Sequence, residues 1–310
     1  MITTTLLALV LAALVLAAVA SVAGTALVLR QARRQAILAH PNERSSHSVP
    51  TPHGGGLAVV AVILSGWLAL ALGFPGTSPN ILIIIACCLP LAAISRHDDL
   101  HGLAPQWRLL AQGLVAAVAL GLTAPAGPGF SGLYFQGLVP GWLDPVLAGI
   151  LWVWFINLFN FMDGIDGMAG SETAAIGIGL ALIAVVTGMA DGAVLRAAVI
   201  TGAAIGFLWW NCHPAKIFLG DVGSVPLGFL LGWLLLNLAA RGQWAAALIL
   251  PLYYLADATV TLIRRAIRGE PVWRAHRQHF YQLAVHRGRS HGAVVGAVTL
   301  ANTALIALAL

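Results

Sequence analysis

The stretch "NLFNFMDGIDGMAG", residues 157–170, decides how this chain is read. It follows "AGILWVWFI", 148–156, a run without a single charge, and sets Asn157, Asn160, Asp163 and Asp166 three residues apart at its end. A carboxylate inside hydrocarbon is costly, about 2.5–3.5 kcal/mol even on insertion scales, so it faces a partner rather than lipid. Which partner depends on where the segment emerges and what emerges beside it.

Composition sets the frame. Of 310 residues, 59% are hydrophobic and 9% charged, with a mean hydropathy of +0.89. A soluble domain carries roughly 25% charged residues, so the chain is an integral membrane protein, and no nucleic-acid partner is expected. Cys87 and Cys88 are neighbours in an apolar run and Cys212 stands alone, a pattern of buried small hydrophobes rather than a disulfide or metal framework. The first apolar stretch has no basic residue ahead of it and Arg30, Arg33 and Arg34 behind it. That order describes a retained membrane helix, not a signal peptide.

Runs of roughly 17–25 apolar residues mark spanning helices. About ten are expected, near 3–29, 55–73, 80–96, 108–124, 144–161, 170–188, 193–210, 223–240, 243–265 and 292–310, forming one all-α polytopic domain over 1–310. Gln112 and Asp257 fall inside the fourth and ninth. Loops after odd-numbered helices hold Arg30, Arg33, Arg34, Arg44, Arg96, Arg108, Lys216, Arg264, Arg265, Arg268, Arg274, Arg277, Arg287 and Arg289. Loops after even-numbered helices hold Arg196 and Arg241. Fourteen against two places the odd loops in the cytoplasm and both termini outside. Asp98, Asp99, Asp163, Asp166, Asp221 and all 10 histidines then fall on the cytoplasmic side. The chemistry is expected on one face.

Three constellations stand on that face. "RHDDLHGL", 96–103, sets Asp98 beside Asp99 where the third helix ends, and adjacent carboxylates call for a cation or a phosphate-bound metal. In "NLFNFMDGIDG" the three-residue spacing puts Asn157, Asn160 and Asp163 on one helical face, with Gly164 and Gly167 permitting a tight turn close to a ligand. A simple C-cap at Gly164 is the plainer alternative, though a cap needs one such residue and four are present. "KIFLGDVGS", 216–224, offers Lys216 and Asp221 just before a helix; Asp221 suits a hard cation, the glycine turn suits phosphate, and Ser224 could be an ordinary N-cap. Two longer polar stretches, 40–56 and 264–291, are basic loops beside a membrane. His276 and His279, with Arg277 between them, suggest an anion-binding face; no zinc cage is completed nearby.

Taken in order, "PNERSSHSVPTPHGGG", "NLFNFMDGIDGMAG", "IFLGDVGS" and "HRQHFYQ" resemble the polyprenyl-phosphate N-acetylhexosamine-1-phosphate transferases, over about residues 40–282. The chain departs from that pattern in places. Ser95, Arg96 and His97 precede the aspartate pair where apolar residues or glycine are usual, His53 replaces an expected Arg, and Gln282 stands where another His often appears. The resemblance implies a bacterial plasma-membrane enzyme that moves a sugar-1-phosphate from a UDP-N-acetylhexosamine to undecaprenyl phosphate and releases UMP, for cell-surface polysaccharide. It implies Mg²⁺, or Mn²⁺, on Asp221 with Asn157 and Asp163 as further ligands. It places the uracil near Phe218 and the Asn160–Asp166 turn, with Asp98 and Asp99 toward the lipid phosphate. His276, His279, Arg264, Arg265 and Arg277 would steady phosphates or sugar, and a homodimer is compatible with the family.

Catalysis of that kind is positioning plus electrostatics. A phosphate monoester with a second pKa near ~6 is already mostly deprotonated at neutral pH, which favours direct in-line attack over a phospho-aspartate. An ion-coupled transporter and a non-catalytic lipid-phosphate binder are the alternatives; transport calls for polar residues open to both faces, and the one-sided clustering argues against it.

Overall fold

Inside hydrocarbon every backbone N–H and C=O must be satisfied within the protein, and apolar runs of this length do so as helices. The computed structural model describes residues 4–39, 50–73, 80–124, 132–189, 191–271 and 276–310. His40, Arg44, His47 and Arg274, expected on the cytoplasmic side, lie outside the described residues. The elements are α1 (Thr4–Arg34), β1 (Leu38–Ala39), β2 (Thr51–Pro52), α2 (Gly56–Gly73), α3 (Asn80–His101), α4 (Pro105–Leu122), α5 (Asp144–Met162), α6 (Met168–Val186), α7 (Asp191–Asn211), α8 (Asp221–Ala240), α9 (Trp244–Ile249), α10 (Leu252–Ile267), α11 (Phe280–His286) and α12 (His291–Ala309).

Among the described residues, eight helices are long and apolar enough to cross a membrane: α1, α2, α3, α5, α6, α7, α8 and α12. The chain is an all-α, polytopic membrane protein. The other two expected spans differ for visible reasons. α4 begins with a polar turn that includes Gln106 and Arg108. The ninth is broken at Pro251, so that α9 ends at Ile249 and α10 starts at Leu252. The small antiparallel pair, with Leu38 opposite Pro52 and Ala39 opposite Thr51, was not legible in the sequence, since two-residue strands carry no alternation. It leads His53 into a parallel bridge with Phe218, which ties the loop before α2 to the turn before α8.

α8 is the centre of the bundle, buried along nearly its whole length and packed against α2, α3, α5 and α6. α1 and α12 lie at the periphery, exposing apolar residues such as Leu16, Val19 and Leu300. Helices in lipid gain little from burying apolar surface, so close backbone approach and interhelical hydrogen bonds carry more of the packing. Ser21 donates to the Ala203 carbonyl at 2.7 Å, and Trp210 Nε1 to that of Val22 at 3.0 Å, both joining α1 to α7. Trp152 Nε1 donates to the Phe229 carbonyl at 2.9 Å, joining α5 to α8. Asn302 of α12 donates to the buried Glu172 of α6 at 2.5 Å. Cys87 and Cys88 are buried as expected, whereas Cys212 is exposed, because it follows the last residue of α7.

Gly202 and Gly206, one turn apart on α7, face the Leu14 and Ala18 carbonyls of α1 so closely that a Cβ would collide with them. Gly206→Ala is expected to destabilise the detergent-solubilised protein by about 1–3 kcal/mol, the usual cost of overpacking. Gly296 of α12 has nothing within 4 Å of its would-be Cβ, so Gly296→Ala should be neutral or slightly stabilising. Equal unfolding midpoints for the two variants would show that the α1–α7 contact is not tight.

Candidate active site

The first N–H groups of a helix have no intrahelical acceptor, and those of α8 are served from another helix. Asp99, in the last turn of α3, accepts from Asp221 N at 2.9 Å and Val222 N at 3.0 Å. Gly220, at φ 77°, makes the turn, and a Cβ there would sit 2.9 Å from Asp99 Oδ2. Ser224 is thereby released from capping: it donates to the Gly220 carbonyl at 3.3 Å and accepts from Asn160 Nδ2 at 2.8 Å. Gly223 faces neither phosphate nor solvent, since its backbone packs against Gly56 at the start of α2.

Around this capped end, four helix termini meet on one guanidinium. Arg108 of α4 reaches Asp98 Oδ2 at 3.0 Å, Asp221 Oδ2 at 3.1 Å and Asn160 Oδ1 at 3.1 Å. Asn160 closes the ring by donating to Asp221 Oδ1 at 2.8 Å, and Asp98 Oδ1 accepts from Leu103 N at 2.6 Å. Asp163, the C-cap residue of α5, stands beside this ring with a carboxylate that neither accepts a hydrogen bond nor pairs with a cation among the described residues. Burial, then the Asp221 and Asp99 charges, push its pKa up to about 7.

Asp166 is held quite differently. Its Oδ2 lies 2.6 Å from His213 Nδ1 and 3.3 Å from His291 Nδ1, and accepts from Ala215 N at 3.1 Å. Burial pushes this carboxyl up, but the bonds to His291, His213 and Ala215 outweigh it and hold it at about 2. Asp166, His213 and His291 have ligand atoms within 4.8 Å of one another, the one such metal-type group among the described residues. His213 Nδ1 is spent on Oδ2 and His291 Nδ1 lies between Oδ2 and the Asp166 backbone N–H, 3.4 Å away, so the geometry is that of an oriented carboxylate. Gly167, at φ 82°, donates to Asn211 Oδ1 at 2.9 Å, and Asn211 in turn donates to the Ile217 carbonyl at 2.9 Å, which fixes the turn. Gly164 must be glycine because a Cβ would strike the Tyr281 hydroxyl, which donates to the Phe161 carbonyl at 3.0 Å.

The histidine arm depends on an acid in a helix. Asp257 of α10 lies 3.1 Å from His279 Nδ1 and accepts from Phe280 N at 3.0 Å, Tyr281 N at 3.2 Å and the Thr261 and Tyr253 hydroxyls, each at 3.3 Å. It therefore caps α11 and orients His279 together. The His276 ring lies 4.8 Å from that of His279. Burial, then the neighbouring His279 and Arg265, hold its pKa down at about 4.

A cavity of about 300 Å³ unites much of this: Asn160, Asp163, Gly164, Asp166, Phe218 and Asp221 line it, with Ala39, His53, Ile165, Asn211, Leu219, Gly220, Gln282 and His291. Asp98 and Asp99 join it through Arg108 and the α8 cap. The remaining expected residues lie outside its lining. Asn157 donates to Gln112 Oε1 at 2.6 Å and the Val153 carbonyl at 2.8 Å, turned into the bundle toward α4. Lys216 lies over the Trp210 ring at 5.2 Å and Arg264 over that of Phe280 at 5.4 Å. Arg265 pairs with Glu270 at 3.0 Å; Arg277, His276 and His279 sit on the α10–α11 elbow. A second cavity, of about 240 Å³, is lined mainly by aromatic and aliphatic residues of α5, α8 and α9 with Tyr134 and Gln136, and has no carboxylate, histidine, lysine or arginine in its lining.

Sequence reasoning did not single out Arg108, Asp257, His213 or His291 for the site. Arg108 was counted for orientation alone, although a cluster of carboxylates requires a cation nearby. Asp257 was visible as an acid in an apolar run, and the rule that such an acid has a partner pointed to the histidines after it.

A family profile described as "Glycosyl transferase family 4" matches residues 81–239. A "Probable undecaprenyl-phosphate N-acetylglucosaminyl 1-phosphate transferase" of Bacillus subtilis (strain 168) is 29% identical over 86% of this chain and 75% of its own. A "Decaprenyl-phosphate N-acetylglucosaminephosphotransferase" of Mycobacterium leprae (strain TN) is 30% identical over 90% of this chain and 77% of its own. A "Phospho-N-acetylmuramoyl-pentapeptide-transferase" of Shouchella clausii (strain KSM-K16) is 35% identical over 57% of this chain and 58% of its own. The family profile spans α3 to α8 and so includes Asp98, Asp99, Asn160, Asp163 and Asp221, and the chain belongs to glycosyl transferase family 4.

Proposed function

We infer that the chain transfers a sugar-1-phosphate to a polyprenyl phosphate in the membrane. The observation that carries this reading is the Asp163 carboxylate, left without a protein partner beside the Asp221–Arg108–Asn160 ring in a cavity open to a polar ligand. The activities for which the relatives are named supply the reaction class.

The finer reading takes a UDP-N-acetylhexosamine as donor, undecaprenyl phosphate as acceptor and UMP as product, with the cavity on the cytoplasmic face. Phe218 offers the uracil a ring face, and Asp166 offers it Oδ1, whose sister oxygen is already taken by His213, Ala215 and His291. The donor set fits a hard dication, with oxygen ligands and one carboxylate unpaired: Asp163 and Asp221 would hold Mg²⁺, or Mn²⁺. When bound, such an ion neutralises charge on the donor's diphosphate. Asn157 is not included, because it lies outside the cavity lining, with its Nδ2 turned to Gln112 and the Val153 carbonyl.

The same hydrogen bonds bear on mechanism. Both oxygens of Asp99 accept from α8, while Asp98 Oδ1 accepts from Leu103 N and its Oδ2 is ion-paired with Arg108. Neither carboxylate is poised as a nucleophile, so the lipid phosphate, already ionised at neutral pH, attacks the β-phosphorus directly. Asp98 and Asp99 instead position Arg108 and the α8 terminus. Transport remains the weaker alternative, since these groups gather at one end of the bundle.

Asp221→Asn is expected to lower turnover about 10²–10³-fold, as for one lost transition-state contact, while elution and unfolding midpoint in detergent stay near wild type. The assay is UMP release from a panel of UDP-sugars with undecaprenyl phosphate, abolished by EDTA and restored by Mg²⁺ or Mn²⁺. Wild-type turnover in the variant at limiting Mg²⁺ would remove Asp221 from the site.

Two further outcomes separate nucleotide binding from chemistry. Asp166→Asn should weaken UMP and UDP-sugar alike, with or without lipid, whereas Asp98→Asn should spare UMP affinity and slow turnover. With UDP-sugar and Mg²⁺ but no polyprenyl phosphate, no UMP should appear. A burst of one UMP per protein under those conditions would reveal a covalent intermediate and refute direct attack.

A further inference from the structure

Arg96 stands one helical turn before Asp99 on α3, so the two share a face. Its guanidinium lies against the backbone of the loop before α2: a Cβ on Gly54 would be 2.9 Å from Nη1 and 3.9 Å from Cζ. Gly54, at φ 96°, is a position where a side chain is strained in any case. Arg96 makes no ion pair among the described residues, and its Nη1 is fully enclosed without a hydrogen-bond acceptor. A charged donor enclosed in this way is unfavourable until an acceptor arrives.

The neighbouring groups do not provide that acceptor. Asp99 lies within electrostatic reach but gives both oxygens to the first N–H groups of α8. His53 is held below its ordinary pKa, first by burial and then by Arg96 itself, against an opposing pull from Asp221. The guanidinium at the start of α4, Arg108, has both Nη atoms committed to Asp98, Asp221 and Asn160. Arg96 is therefore a cation with donors to spare, beside His53, which lines the cavity with Asp163 and Asp221.

We propose that Arg96 is a substrate-binding residue whose guanidinium takes a phosphate oxygen when the cavity fills, swinging off Gly54 to do so. The planar fork of arginine suits that ligand, and the side chain is long enough to move. The proposal rests on the transferase reading above, because a reaction of that kind brings two phosphate ligands here: the acceptor's monoester and the donor's diphosphate.

The test uses the full chain in detergent, as wild type, Arg96→Gln and Arg96→Lys. Without ligand, Arg96→Gln should unfold at or above the wild-type midpoint, because it removes an unpaired enclosed cation; a clear fall would mark a structural role and overturn the proposal. In UMP-release kinetics with each substrate varied, Arg96→Gln should raise one KM at least tenfold, and Arg96→Lys should recover most of it. A rise for undecaprenyl phosphate with unchanged UMP inhibition assigns Arg96 to the acceptor. A rise for UDP-sugar with unchanged lipid KM assigns it to the donor. Unchanged KM for both, or a loss confined to kcat, overturns the proposal while the transferase reading stands. No UMP release by wild type with any UDP-sugar overturns both.

Discussion

Asp99 accepts the two backbone N–H groups that open α8, and the position of nearly every polar group in the cavity follows from that contact. It fixes the end of the most buried helix to the end of α3. Asp221 is the first residue of that helix, so the direction of its carboxylate is set by backbone rather than by rotamer choice. Capping by a side chain of the same helix stabilises by ~1 kcal/mol. Capping from another helix does this and also fixes the distance between Asp98, on α3, and Asp221. Ser224 is thereby left to receive Asn160 and bring in α5.

With that geometry fixed, the charges sort themselves by partner. Asp98 and Asp221 share Arg108, Asp99 has the helix terminus, and Asp166 has two imidazoles and an N–H. Asp163 has none of these, and its pKa rises to about 7 as burial and its acidic neighbours dictate. Carboxylates that serve structure and one that awaits a ligand are thus distinguished by their hydrogen bonds, although all are the same residue type within a short distance. The contrast between Asp163 and Asp166, three residues apart on one turn, makes the point most directly.

The sequence revealed the helices and the one-sided chemistry because both rest on local signals: unbroken apolar runs, and acids or glycines at their ends. The α10–α11 elbow was harder to see. The ten-span reading takes 243–265 as one helix, and Pro251 divides it, so Asp257 appears as an intruder in a span rather than as the cap of α11. Asn157 shows the opposite failure. Its spacing from Asn160 is helical, but Gln112 of α4 lies within reach and takes its amide at 2.6 Å. Periodicity tells which residues share a face; it does not tell which neighbour that face meets. Arg108, counted as a topology marker, was missed for the same reason.

Membrane burial explains why these partners are found so consistently. In water an unpaired Asp or Arg at a helix end would be solvated at little cost. At the edge of hydrocarbon each such group is driven to a protein donor or acceptor. Helix ends are where backbone N–H groups are also left over, so carboxylates and helix N-termini collect at the same depth. The start of α8 and the start of α11 are both capped in this way, by Asp99 and by Asp257, each from a different helix. Once those pairs have formed, the Asp163 carboxylate and Arg96 Nη1 are still without protein partners among the described residues, both near the start of α8. A cavity with an unpaired carboxylate on one wall and a guanidinium with donors to spare behind another has the charge pattern to receive a metal-bound diphosphate, and the bilayer, by penalising every other unpaired group, is what makes that pattern stand out.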